Sequence, residues 1–219
     1  MSIDGLPGRQ LAAEGSWAGG VLVLDRLSAA ELGGAQIEAS LTAFGSFEKP
    51  ELSGTASLTV ASAGSPAAAR FFDAVKAPLA LRAGLLASFP ADLTLNLGAP
   101  TGEGAQTLEA TGTLGPSTLD ASAQIDSGFL RALDGRFKLD LDLKSPHATE
   151  MTAQLGLGDV SLFPDGDPMH LVGVIEGDVG SSLSATLRGE GGADSLGFSG
   201  NVVVTDPDRI TGQGTLKAT

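Results

Sequence analysis

Asp140 and Asp142 stand two residues apart in the run Phe137-Lys138-Leu139-Asp140-Leu141-Asp142-Leu143-Lys144. On a strand that spacing puts both carboxylates on one face, and a pair of carboxylates is what glycoside hydrolysis uses as acid and base. Lys138 and Lys144 fall on the same face and flank the pair, with no aromatic sugar platform nearby, so the reading is a solvated, charge-balanced strand face. His147 follows Ser145-Pro146 in a turn and His170 opens a strand. A general base or a metal ligand needs a positioned partner, and the sequence identifies none for either histidine. Asp165-Gly166-Asp167 offers the clustered carboxylates that Ca²⁺ takes, without the spacing of a full calcium loop. It reads as an acidic turn. Gly189-Glu190-Gly191-Gly192-Ala193-Asp194 has the glycine and aspartate of a calcium-binding repeat, but it occurs once and reads as a hairpin loop. The chain lacks a GxSxG elbow, an HExxH pair and a Walker loop. It also lacks cysteine, which removes disulfides, thiolate metal sites and thiol nucleophiles. The expectation is a protein that is not an enzyme and uses no cofactor or metal.

Charge and composition narrow the partners. The net charge is −13, and the 13 basic residues are scattered without forming a run. Nucleic-acid binding rests on neutralising phosphates with Lys and Arg, so no nucleic-acid partner is expected. Docking on an anionic membrane through a polybasic patch is equally unsupported. No apolar run approaches the roughly 20 residues of a membrane span, and Met1 to Gln10 lacks the basic end and apolar run of a signal peptide. The chain reads as soluble, and as a piece of something longer. Hydrophobic residues make up 42%, yet much of this is Ala and Leu; there are nine Phe, one Trp and no Tyr. Large aromatics usually fill a close-packed sandwich. Leucine interspersed with Ala and Gly leaves room, which points to a groove.

The elements that carry these residues are mostly strands. From Phe89 to Leu157 the chain alternates almost throughout. Leu93, Leu95 and Leu97 alternate with Thr94 and Asn96. Leu108, Ala110, Gly112 and Leu114 form the next series, then Leu119, Ala121, Ala123 and Ile125. Phe137, Leu139, Leu141 and Leu143 follow, then Met151, Ala153, Leu155 and Leu157. A period of two places one set on each face of a sheet. One face is therefore apolar and the other polar.

Ahead of this stretch, residues 1–15 read as a short strand or loop. Strands follow over Val21–Leu32, with Asp25-Arg26 interrupting the apolar run, then Ala35–Phe44 after a Gly33-Gly34 hairpin, then Glu51–Ser62. Ser65-Pro66 starts a helix over about 66–76, a hydroxyl cap followed by proline at the first helical position. Phe71, Phe72 and Val75 give that helix an apolar stripe, read as a plug against the end of the sheet. Leu79–Ser88 fits a helical turn or a strand. Beyond Leu157 the pattern gives a short strand at Asp159–Phe163, a more buried one at His170–Gly177 that is apolar on both faces, and further strands at Leu183–Gly189, Leu196–Thr205 and Ile210–Ala218.

Three regions result. Residues 1–64 are antiparallel strands ending one sheet segment, residues 65–88 a helical connector, and residues 89–219 a long antiparallel meander with an apolar inner face. The fold class is mainly β: an elongated, curved antiparallel sheet, an open groove or a sheet folded over like a taco, with one short α-helix.

The cadence of Val21–Val60 resembles the AsmA-like family of bacterial envelope proteins, which includes the TamB group. The likeness lies in a strand ending near Leu27, the Leu32-Gly33-Gly34-Ala35 hairpin, Ala39 to Gly45, and Pro50-Glu51-Leu52-Ser53-Gly54. A short helix over Ser65–Lys76 and a fresh strand series from Ala91-Asp92-Leu93-Thr94-Leu95 continue it. The resemblance extends loosely over most of the chain. It implies a curved β-sheet with an apolar groove in the periplasm, tethered to the inner membrane by a helix that this sequence does not contain. It also implies lipid transport between the membranes or a part in outer-membrane assembly, with inner- or outer-membrane proteins as partners. The family brings no catalytic motif.

Alternation, small inward residues, scarce helices and this resemblance together lead to a groove that shields the acyl chains of phospholipid or another acyl-chain ligand. The lining residues expected from the alternation are Leu95, Leu97, Leu108, Leu114, Leu119, Ile125, Leu139, Leu141, Leu143, Leu155 and Leu157. The alternative is a structural or protein-interaction module, a β-sandwich or adhesin-like unit with a filled core.

Overall fold

The computed structural model describes residues 2–3, 6–46, 49–74, 86–101, 104–129, 135–156, 163–164, 166–178, 182–206 and 209–219. Thirteen strands form one antiparallel sheet in which every strand lies beside its neighbours in sequence. They are β1 (Ser2–Ile3), β2 (Leu6–Ala18), β3 (Val21–Leu32), β4 (Ala35–Ser46), β5 (Lys49–Val60), β6 (Ala91–Leu97), β7 (Gln106–Leu114), β8 (Ser117–Ile125), β9 (Arg136–Ser145), β10 (Met169–Asp178), β11 (Leu183–Gly191), β12 (Asp194–Asp206) and β13 (Arg209–Ala218). The first and last strands do not pair, so the sheet is open and does not close into a barrel. Neighbouring strands lie about 4.8 Å apart, so the sheet measures roughly 58 Å along its hydrogen-bonding direction. Among the described residues two helices, α1 (Pro66–Ala74) and α2 (Ala148–Gln154), interrupt the meander. Among the described residues no helix is long and apolar enough to cross a membrane.

The helices divide the strands into quartets: β2–β5, then α1, β6–β9, α2 and β10–β13. In each quartet the middle turn is tight: Gly33-Gly34, Gly115-Pro116 and Gly192-Ala193. The registers Ala35↔Val60, Val60↔Ala91, Ala91↔Leu114, Ser145↔Met169 and Gly191↔Asp194 place these turns and both helical insertions at the same end of the sheet. Gly33 and Gly34 have φ of +59° and +87°, as a two-residue hairpin matching the sheet twist requires. The Gly33 carbonyl then accepts the Ala67 N–H at 3.0 Å, and Ser65 Oγ accepts the Ala68 N–H at 3.1 Å. The hairpin and the hydroxyl cap thus fix the start of α1 together.

Several expectations are corrected. The segment from Met151 onward is helical through Gln154, so the described residues include a second helix beyond the one expected near 66–76. Ala148, Met151 and Leu155 are spaced i, i+3, i+7, which suits one face of a helix as well as the alternation Met151/Ala153/Leu155 suits a strand. Pro146 ends β9 just before, and packing of the Ala148–Met151 face decides between the two periods. Leu157 and most of the Asp159–Phe163 strand lie outside the described residues; Phe163 itself sits in a buried bend.

Further differences lie elsewhere along the chain. β10 is not buried on both faces, because Val172 is 36% exposed while Leu171 is buried. The opening residues form a full strand, β2. β3 runs unbroken through Leu27: Glu14 faces Arg26 and Gly15 faces Leu24, so Asp25 is an extra bulged residue within one strand. The side chains of Phe71 and Phe72, Val75, and most of Leu79–Ser88 lie outside the described residues. The part of α1 seen to pack is Ala67 and Ala68, against Ala35, Val60, Ile37, Leu58 and Phe89.

Candidate functional site

The register of the strands turns separate alternations into rows that cross the sheet. One row reads Leu27, Ala39, Ala56, Leu95, Ala110, Ala121, Leu141, Gly173, Leu187, Phe198 and Leu216. The row beside it reads Leu24, Leu41, Gly54, Leu97, Leu108, Ala123, Leu139, Ile175, Ala185, Gly200 and Gly214. One apolar face therefore runs through eleven consecutive strands, β3 to β13. The opposite face carries Thr, Ser, Asp, Glu, Lys and Arg. Along β6, β7 and β8 the apolar-side residues are buried or half-buried and the polar-side residues exposed.

Glycines on this face let strands and side chains come close. Gly112, at φ +146°, has no room for a Cβ because the Asp92 carbonyl oxygen occupies that place. Gly54, at φ +134°, meets the Ser40 carbonyl in the same way. Glycine inside a strand marks such close approach and local bending.

Each end of the face is organised by one buried glutamine. At the helical end, Ser117 Oγ donates to Gln154 Oε1 at 2.7 Å, and Gln154 Nε2 donates to the Leu114 carbonyl at 2.6 Å. α2 is thereby tied to the β7–β8 turn. Beneath it lies a packed cluster of Leu143, Ala148, Met151, Phe163, Met169 and Leu171, with Leu119, Leu141, Leu155, Leu187 and Leu196 against it. At the other end, Gln106 Nε2 donates to the carbonyls of Leu52 at 2.6 Å and Gly98 at 2.9 Å. Its Oε1 accepts the Phe129 N–H at 2.8 Å.

This arrangement sorts the expected lining residues. Leu95, Leu97, Leu108, Leu114, Leu119, Ile125, Leu139, Leu141 and Leu143 all lie on the apolar face by register. They do not share one environment. Leu119, Leu141 and Leu143 belong to the packed region under α2, a filled core and not an open floor. Leu97 and Ile125 are buried near the Gln106 end. Leu95, Leu108 and Leu139 are half-buried and, among the described residues, belong to neither packed cluster, so they form a floor outside the two packed regions. Leu155 is corrected: it caps the C-terminus of α2 and roofs the sheet instead of lining a strand. Leu157 lies outside the described residues. The alternation carried no signal for this division, because it depends on where α2 lands.

The chemistry-bearing residues resolve into surface pairs. Lys138 Nζ lies 3.3 Å from Asp140 and Lys144 Nζ 3.4 Å from Asp142, all partly exposed. His170 has a partner that the sequence did not reveal: its Nε2 lies 2.9 Å from Asp142 Oδ1, because β10 pairs with β9 to bring Lys144 and His170 opposite each other. An open hollow of about 450 Å³ on this polar face is lined by Asp120, Asp140, Asp142, Thr186 and Arg188 among others. Among the described residues no group of three or more His, Asp or Glu gathers as a metal site. Asp165 lies outside the described residues, and the Asp167 carbonyl accepts the Ala148 N–H at 2.8 Å, which docks the start of α2. The glycine-rich Gly189–Asp194 segment is a hairpin whose Gly189 and Gly191 make room for the Phe163 ring.

No family model, no curated protein and no solved structure matches the chain.

Proposed function

We propose that this chain is a non-enzymatic β-groove module of the bacterial periplasm that shields acyl chains, of phospholipid or another acyl ligand. In this reading it contributes to lipid transport between the inner and outer membranes or to outer-membrane assembly. The observation that carries the proposal is the half-buried floor of Leu95, Leu108 and Leu139, outside both packed clusters, on an apolar face that crosses eleven strands. Partition supplies the mechanism. Each methylene removed from water gains roughly 0.8 kcal/mol, and rows of Leu and Ala with few polar anchors hold a chain at many similar positions. The headgroup stays in solvent at the rim. The resemblance to AsmA-like proteins supports the envelope setting, tethering to the inner membrane, and membrane-protein partners.

Lipid extraction from detergent-free protein, followed by mass spectrometry, tests the reading. Stoichiometric acyl lipid is expected in the native chain and its loss in Leu95→Asp and Leu139→Asp. These positions are chosen over Leu119 and Leu141, whose place in the packed cluster would mix folding with binding. Unchanged lipid content in folded variants, or lipid-free native protein, would sink it. A second reading, a structural or interaction module, is favoured by the filled core under α2, and a lipid-free, dye-silent chain would put it first.

A further inference from the structure

We propose that a bound acyl chain lies along the strands, in a valley over β7 and β8, with its methyl end toward α2. The inference rests on the acyl-chain reading above and adds the seat of the chain and its direction. Side-chain size builds the valley. Leu93, Leu95 and Leu97 stand in line on the apolar face of β6, and Leu139, Leu141 and Leu143 stand in line on that of β9. Between these two ridges Ala110 faces Leu95, Ala121 faces Leu141, and Ala110 and Ala121 face each other. In the rows to either side, Gly112 faces Leu93 and Ala123 faces Leu139. Leu108 and Leu119 occupy opposite corners, so the low ground runs from Gly112 through Ala110 and Ala121 to Ala123. The ridges are three strand spacings apart, roughly 14 Å. Ala121 is buried and Ala110 and Ala123 are half-buried, as the bottom and slopes of a valley are. Among the described residues none of the three belongs to a packed cluster.

The same relief sets the direction. Across the sheet, Leu27, Leu95 and Leu141 stand on β3, β6 and β9 in one row, with Ala39 and Ala56, then Ala110 and Ala121, between them. A chain lying along that row climbs each ridge and leaves its flanks in water. A chain lying along β7 and β8 has alanine beneath it and leucine on both flanks, so more of each methylene leaves water. The two ends of the valley differ. At the helical end it meets Leu119, Leu143 and Met151 of the packed cluster. An apolar cluster accepts a methyl end and excludes a charged head. At the other end, around Gln106, Ala99, Thr101 and Phe129 are exposed. The polar head emerges there, into solvent.

Two photoreactive probes test the seat on the full 219-residue chain. Both are hexadecanoic acid with a diazirine, near the methyl end in one and near the carboxylate in the other, and the labelled residues are mapped by mass spectrometry. Both probes should label β6 to β9 on the apolar face. The methyl-end probe should mark the level of Leu93, Gly112 and Leu119, and the carboxylate-end probe the level of Ile125 and Phe137. Ala123→Phe fills the low ground and should lose the β6 to β9 labelling. Labels at one level on strands far apart, the opposite polarity, labels on the polar face, or unchanged labelling in a folded Ala123→Phe variant would each overturn the valley while leaving the acyl-chain reading in place. A native chain that takes up neither probe would overturn both.

Discussion

The Ser117 hydroxyl donates a 2.7 Å hydrogen bond to Gln154 Oε1, and both side chains are buried, on strands and helix 37 residues apart. With the bond from Gln154 Nε2 to the Leu114 carbonyl, this contact joins the second helical insertion to the turn between β7 and β8. Replacing Gln154 by Leu leaves Ser117 and the Leu114 carbonyl buried without that partner. Loss of such a partner costs about 1–3 kcal/mol per group. For the two groups together denaturant unfolding should show a loss of about 2–6 kcal/mol, and a change below about half a kcal/mol would show that the tie is dispensable.

Met151 is fully buried between α2 and the sheet. Met151→Ala should destabilise by about 2–5 kcal/mol, the range for large-to-small changes in packed cores. Truncation to Ala at Leu95, which is half-buried and outside both packed clusters, should cost clearly less. Equal losses at the two positions would show that Leu95 too lies under a packed layer.

Gly112→Ala should be poorly tolerated. Its φ of +146° is unfavourable for any other residue, and the Asp92 carbonyl oxygen fills the space a Cβ needs. A loss of about 1–3 kcal/mol from the backbone conformation alone is expected, with more from the clash. Gly19→Ala, also at positive φ but with open space around it, should cost less. Comparing the two midpoints separates backbone conformation from close approach.

Asp142→Asn removes the partner of both Lys144 and His170. All three side chains are more than a third exposed, and exposed ion pairs contribute about 0–1 kcal/mol. The thermal midpoint should barely move, and lipid content should not change. A large drop in either would give this polar cluster a role that its exposure does not suggest.

Ala110→Trp tests volume separately from polarity. Ala110 sits half-buried in the row between Leu95 and Ala121. An indole there keeps the floor apolar while filling it. The acyl lipid recovered per protein should fall although folding is preserved. Undiminished lipid would place the chains elsewhere on the face.

The sequence by itself determined most of the strands and which face of β6 to β9 is apolar. A period of two is local, and Leu93/Leu95/Leu97 or Leu139/Leu141/Leu143 can satisfy it in only one way. It also placed the start of α1, because Ser65-Pro66 is a local signal that needs no distant partner, and it put Lys138 and Lys144 on the same strand face as Asp140 and Asp142, where the structure pairs them.

Tertiary structure decided what lay beyond a single element. The helical choice for Ala148–Gln154 came from burying Ala148 and Met151 against β9 and β10, since the residues fit either period. His170 met Asp142 only through strand pairing. The partition of the leucines into a core under α2 and a half-buried floor at Leu95, Leu108 and Leu139 follows from where α2 comes to rest, held by Gln154 and Ser117. Alternation tells which way a side chain points, but not what covers it.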